Sequence, residues 1–165
     1  MKSDVTIVGM STLRFKGDNQ WRYLGPAFTM RCMTTSISLM LAVEDTSVAA
    51  KWYIAALGGN ELWSLGSVRG LEIGGAPLFL HESTDMGFES PVVVGSTTVR
   101  VEVFVDDPDV FIEKAIAGGA TVISDGVQNH RVPWGVHRQG GFTDPFGHVW
   151  LVGDRSPLQK YSSQP

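Results

Sequence analysis

Two eight-residue stretches set the pattern of this chain. Residues 38–45 read SLMLAVED and residues 100–107 read RVEVFVDD. Each alternates between two faces and ends in valine, an acidic residue and aspartate. Period-two alternation predicts a strand with one face buried. Each stretch is followed by helix-compatible sequence and then by Gly-Gly, at 58–59 and 118–119. The offset between the copies is about 61 residues throughout. Further on, GLEIGGAPLFLHE (70–82) answers GFTDPFGHVWLVGD (141–154), each a strand, a glycine-containing turn and a strand. The chain therefore reads as two copies of β-α-β-β-β, an α+β arrangement. The modules span about 36–82 and 97–153 of a domain covering 36–153, with an extension at 1–35 and a tail at 154–165.

Local signals support the two helices. In the second copy Asp107 suits the N-cap, Pro108 the first helical position and Gly118 the stop. Phe111, Ile112, Ala115 and Ile116 then form an apolar stripe. In the first copy Thr46 or Ser47 caps, Val48, Trp52 and Ala56 lie one turn apart, and Gly58 stops the helix. Trp52 and Tyr53 read as core and rim packing in preference to a ligand platform. Asp144-Pro145-Phe146-Gly147 has type I turn chemistry and joins a strand ending near Thr143 to one over 148–152. Residues 1–32 show no clear amphipathic period. They are either a genuine extension or sequence upstream of a natural start at Met33.

Composition narrows the partners. A hydrophobic fraction of 43% and a mean hydropathy of +0.05 suit an ordinary globular domain. The formal charge is −4 and no basic run is present, which argues against nucleic acid and anionic membrane as main partners. No apolar stretch approaches the roughly 20 residues that span a bilayer. A single cysteine, Cys32, excludes an internal disulfide and suits a cytoplasmic setting. It also lies outside the repeat, no Gly-x-Ser-x-Gly elbow occurs, and the GLEIGG of 70–75 does not open a helix, so neither nucleophile nor phosphate loop is indicated.

The duplicated module, Trp52-Tyr53 before Leu57-Gly58, and above all the segment Gly-Gly-Phe-Thr-Asp-Pro-Phe-Gly-His-Val-Trp of 140–150 resemble the vicinal oxygen chelate superfamily. This is the glyoxalase, bleomycin-resistance and extradiol-dioxygenase group, and the closing segment resembles its PhnB-like branch. The resemblance implies two modules side by side, forming a curved, mixed, mostly antiparallel sheet around a cleft. It also implies a homodimer whose chains complete each other's clefts.

Metal-dependent members of that group place four ligands in the first and last strands of the two modules. Carried over to this chain, those positions are Ser38, Phe79, Arg100 and Leu151. Phenylalanine and leucine offer no lone pair and arginine is a fixed cation, so no metal and no cofactor is expected. A shifted site on His81 and Glu102 would need His137 or Asp144 as a third ligand. His148 reads as a structural hydrogen bonder, and His130 and His137 as exposed members of a loop over 124–138.

Strand alternation turns Leu39, Leu41 and Val43, and in the second copy Val99, Val101, Val103 and Val105, toward the helices. It turns Ser38, Met40 and Ala42, and Arg100, Glu102 and Phe104, toward the cleft. With Phe79, His81, Val149 and Leu151 these form a mostly apolar concavity, and Trp134, His137 and Arg138 supply its mouth. Arg100 either holds an anion or pairs with Glu102. Three functions follow. The leading one is a metal-free small-molecule-binding protein that takes an apolar or aromatic organic ligand in the inter-module cleft. The others are a metal-dependent lyase, isomerase or dioxygenase with a non-standard ligand set, and a structural or partner-binding module with a filled cleft. The valine run 92–94 between the modules suits either a dimer interface or a linker strand.

Overall fold

The computed structural model describes residues 13–16, 20–23, 36–84 and 87–159. Cys32 and Met33 lie outside the described residues. The chain divides into two units, 1–36 and 37–165. In the first, a short antiparallel pair joins β1 (Leu13–Lys16) to β2 (Gln20–Tyr23), an element that the aperiodic sequence there did not announce.

The second unit holds both modules. Module one runs β3 (Leu39–Val43), α1 (Thr46–Leu57), β4 (Asn60–Leu65), β5 (Val68–Ile73) and β6 (Ala76–Glu82). Its four strands lie in the order β3-β6-β5-β4, with β3 parallel to β6 and the other pairs antiparallel. A short helix, α2 (Pro91–Val94), leads to module two: β7 (Arg100–Phe104), α3 (Pro108–Ala117), β8 (Thr121–Val122), β9 (Gln128–Val132), β10 (Gly135–Thr143) and β11 (Val149–Gly153). The order β7-β11-β10-β8 repeats module one strand for strand, again with the first strand parallel to the last. The mixed α+β fold read from the repeat is the fold observed. Valines 92–94 form the helix α2 instead of a linker strand, and all three are more than half exposed.

The helices begin and end for stated reasons. Asp107 caps α3 through Val110 N–H at 3.1 Å, and Pro108 occupies the first turn. The first copy obeys the same rule. Asp45, not Thr46 or Ser47, caps α1, accepting from Ser47 N–H at 2.8 Å and Val48 N–H at 2.9 Å. An aspartate two or three residues past the first strand thus opens the helix in both modules. Gly58 ends α1 at φ +71, a conformation in which L side chains are strained. The buried stripe of α1 is Ala49, Ala50, Tyr53, Ala56 and Leu57, whereas Val48 is 55% exposed. The sheet is approached by the face carrying the alanines, since small side chains let strand and helix come close.

The helix-facing strand positions fill the core as expected at Leu41, Val43 and Val101, Val103 and Val105 pack partly buried against it, and Leu39 and Val99 stay partly exposed. Trp52, Tyr53, Phe142, Phe146 and Trp150 pack as one aromatic cluster, with Phe142 and Trp150 stacked at 6.0 Å. Across the two modules, Trp52 Nε1–H donates to the Gly118 carbonyl at 2.7 Å, and His148 Nε2 lies 2.9 Å from the Ala42 carbonyl, which it meets as a donor. His148 is buried and structural, as its place in the segment suggested.

Asp144 organises that segment. Its N–H donates across the turn to the His148 carbonyl at 2.9 Å, and Gly147 N–H closes the turn on the Asp144 carbonyl at 3.0 Å. The carboxylate is only 4% exposed and receives four donors: Tyr53 O–H at 2.6 Å, Trp150 Nε1–H at 2.8 Å, and the N–H groups of Phe146 and His148 at 2.9 Å. Such saturation is what allows a carboxylate to be buried. The Asp-Pro-Phe-Gly turn therefore joins two strands and also fastens one module to the other.

Candidate functional site

Each sheet has one face covered by its helix and one face turned away from it. On the open face of module one the strand registers align a row across all four strands: Met40 beside Phe79, Phe79 beside Gly70, and Gly70 beside Trp63. A bulge between Glu61 and Trp63 brings the tryptophan to this face. A Cβ at Gly70 would stand 2.5 Å from Trp63 Cε2, so only glycine lets the indole lie flat across the strand. There it meets Phe79, with ring centroids 5.4 Å apart and planes at 46°. Trp63 stays 42% exposed and Met40 47% exposed. The next row, Ala42, His81, Val68 and Leu65, is apolar except for His81, and Leu65 is 75% exposed.

Module two repeats this row with different chemistry. Glu102 pairs with Leu151, Leu151 with Gly141, and Ile123 N–H donates to the Gly141 carbonyl. A Cβ at Gly141 would stand 2.8 Å from Ile123 Cδ1, so a side chain again lies across a glycine. The two modules thus present related open faces, one aromatic and apolar, the other with a carboxylate at its end.

The sequence-predicted positions fall as follows. Ser38, Met40, Arg100 and Glu102 are exposed, and Phe79, His81, Phe104 and Leu151 are half-buried. Met40, Phe79 and His81 come together on one sheet, and Glu102, Phe104 and Leu151 on the other. Ala42, expected at the cleft, is buried, since the His148 ring packs onto its strand. Glu102 accepts from Gln139 Nε2–H at 2.9 Å instead of from Arg100.

The expected loop 124–138 is a correction. Most of it is the hairpin of β9 and β10, turning at 133–134. The alternation there is masked by polar residues on both faces of an edge strand. His137, expected exposed at a cleft mouth, is 6% exposed. A carboxylate only accepts, so His137 Nδ1–H donates to Asp154 Oδ1 at 2.9 Å; Ser156 Oγ lies 3.1 Å from the same nitrogen. Trp134 Nε1–H donates to Ser156 Oγ at 3.3 Å, which ties it to the same C-terminal turn. Partial burial pushes the Asp154 carboxyl up, but bonds from the Ser156 hydroxyl, the Arg138 N–H and His137 outweigh it and hold the group well below the usual carboxylate range. The Arg138 guanidinium clasps Asp109 of α3 in two bonds of 2.6 Å, which lowers Asp109. Arg138 therefore faces the helix and not a cleft mouth.

This donor set does not suit a metal. Of the four positions the resemblance implies, two are hydrocarbon and one is cationic. The third ligand a shifted site would need is committed elsewhere: Asp144 to the aromatic core and His137 to Asp154. Among the described residues no three His, Cys, Asp or Glu side chains lie close enough to hold an ion. Among the described residues, too, no helix is long and apolar enough to cross a membrane.

Sequence reasoning missed Trp63 and Gly70. The signal available was an isolated glycine inside a strand pattern, which marks close approach of another group. The bulge beside Trp63 hid the alternation that would have placed it.

Comparison with known proteins agrees with this geometry. The family model described as a glyoxalase-like domain matches residues 38–152. Uncharacterized proteins of Mycobacterium bovis and Mycobacterium tuberculosis are 30% identical over 128 residues, covering 72% of this chain and 82% and 73% of their own lengths. Among solved structures, a gene product of Arabidopsis thaliana is similar at a TM-score of 0.58 and 22% identity, over 73% of this chain and 99% of its own. The bleomycin resistance determinant encoded on transposon Tn5 gives 0.54 and 18%, over 73% and 98%. The fosfomycin resistance protein FosX from Mesorhizobium loti gives 0.52 and 12%, over 73% and 91%. At these identities the structural likeness carries the fold alone.

Proposed function

The chain belongs to the glyoxalase-like domain family of the vicinal oxygen chelate superfamily, and from that premise we propose that it is a metal-free small-molecule-binding protein whose open sheet faces take a flat apolar or aromatic ligand. The observation that carries this reading is the row Met40, Phe79, Gly70 and Trp63, an aromatic platform that a glycine keeps level and that remains partly exposed. A core tryptophan would be covered; one laid over glycine at a surface presents its π-face for stacking. The hydrocarbon and arginine at the superfamily's ligand positions support the metal-free part.

We also infer a homodimer. Met40, Leu62, Trp63 and Leu65 are 42–75% exposed on or beside one sheet face. A contiguous apolar face of this kind suits a partner surface. A second copy offering its module-two face, with Phe104 and Leu151, would close a cleft over the platform. A place in the PhnB-like branch and in the cytoplasm belongs to the same proposal, the latter supported by the single cysteine and acidic balance.

The test is a ligand-shift melt. A planar aromatic at 100 times its dissociation constant adds about 2.7 kcal/mol of stability and raises Tm visibly. Zinc, nickel, manganese and ferrous ions are expected to leave Tm unchanged. A rise with one of those ions and none with aromatics would replace this reading by the metal-dependent enzyme.

A further inference from the structure

The two modules differ most at their edge strands. In module one β4 runs unbroken over Asn60–Leu65, whereas in module two the same edge is split into β8 and β9 by the segment 123–127. Ser124 turns that segment at φ +57 and Gly126 at φ +80. Between the segment and the sheet lies a hollow of about 330 Å³, within the range of small-molecule sites. Among the described residues, a smaller hollow beside Phe146 is about 60 Å³ and holds no more than about two waters.

The floor of the larger hollow is Gly140, Gly141 and Leu151, and Ile123 walls one side. Its polar lining is Ser124, Asp125, Gln128, His130 and Gln139, with no lysine or arginine among the lining residues. Gln139 is oriented from outside. Because Glu102 can only accept, Gln139 turns its amide N–H to Glu102 and leaves its carbonyl oxygen available. Asp125 adds a carboxylate whose one described contact is Gln128 Nε2–H at 3.5 Å. Arg100 stands two residues before Glu102 on β7, outside the lining. The hollow is thus rich in acceptors, bordered by two carboxylates and floored by hydrocarbon and bare backbone.

We propose that the hollow beneath the 123–127 segment is a second binding site, for a small molecule carrying a protonated amine on a compact apolar body. The ammonium would lie between Asp125, the Gln139 carbonyl and Ser124, where charge-assisted bonds are strongest. The apolar body would rest on Gly141, Ile123 and Leu151. Every lining residue belongs to module two of one chain, so the site is separate from the Trp63 platform, while Leu151 is shared with the module-two face offered to a second copy.

The experiment is an amide-resolved NMR titration of the full chain with three matched probes: cyclohexylammonium, cyclohexanol and cyclohexanecarboxylate. A cation can also sit on an exposed indole face, so the Trp63 and Gly70 amides are followed in the same spectra to separate the two sites. The expected result is a saturable shift of the Gly126, Gln128, Gly140 and Gly141 amides with cyclohexylammonium only. Asp125→Asn should weaken it by about fivefold to tenfold, and Glu102→Gln should weaken it less. Asp125 is exposed, so its variant keeps the fold, shown by unchanged shifts elsewhere in the spectrum. Equal response to the alcohol or the carboxylate, absence of saturable shifts with the amine, or full affinity in Asp125→Asn would overturn the proposal.

Discussion

The Tyr53 hydroxyl donates to Asp144 Oδ2 at 2.6 Å across 91 residues of sequence, from α1 of one module to the closing turn of the other. Burial, and then the charge and hydrogen bond of Asp144, push the Tyr53 phenol well above its ordinary range. The bond is therefore held by the neutral phenol against a carboxylate. Tyr53→Phe is expected to cost about 1.5–3 kcal/mol, the range for a bond to a charged group. Asp144→Ala should cost more, about 3–5 kcal/mol, because it strands the Tyr53 and Trp150 donors and empties a buried site. Urea midpoints with unchanged slope measure both, and a double-mutant cycle should show coupling between them.

The same pair sets an alkaline limit. In the unfolded chain tyrosine ionises near pH 10, whereas native Tyr53 keeps its proton. The unfolded state then binds fewer protons, so the Tyr53 contribution is complete below about pH 10 and stability falls as pH rises beyond it. Tyr53→Phe should flatten that fall, read from unfolding midpoints between pH 8 and 11.

Acid acts through Asp154. Its carboxyl is held low in the native state, so as pH drops below about 4 the unfolded chain takes up the proton first and stability is lost. Asp154→Asn removes this part of the acid slope. Midpoints at pH 7 and pH 3 for the two proteins should differ by less in the variant.

The repeat showed itself in the sequence because both first strands end in valine, an acidic residue and aspartate; that Asp45 caps its helix as Asp107 does was not legible, because Thr46 and Ser47 beside it are cap residues too. The Asp144 turn was legible as a turn, because Pro145 and Gly147 fix backbone angles locally. Its role as a fastener was not, because that depends on Tyr53, a partner far along the chain. His137 was misread for a related reason: its exposure is decided by Asp154 and Ser156, which fold back over it. Trp63 lay behind a bulge, where a single extra residue breaks period-two reading.

Gly153 offers a check on the His137 packing. A Cβ there would stand 2.6 Å from His137 Cε1 and 2.9 Å from Nε2. Gly153→Ala should displace the ring, loosen its bond to Asp154 and cost about 1–3 kcal/mol. Urea unfolding reads the cost, and the variant should also show a weaker acid dependence of the Asp154 kind.

Leu65 tests the dimer. It is 75% exposed, so in a monomer Leu65→Glu is expected within about 0.5 kcal/mol of neutral. In a dimer it places a charge in an apolar interface. Light scattering should show two chains per particle for the parent protein and one for the variant. One chain per particle for both would remove the dimer from the account.

The central claim is the aromatic platform, and it is tested most directly by titrating a neutral planar aromatic such as acridine at pH 8 into the parent protein and Trp63→Leu. The account predicts saturable binding to the parent, weakened about tenfold or more in Trp63→Leu, with Gly70→Val behaving like Trp63→Leu because the indole can no longer lie flat. Equal affinity in all three proteins would contradict it.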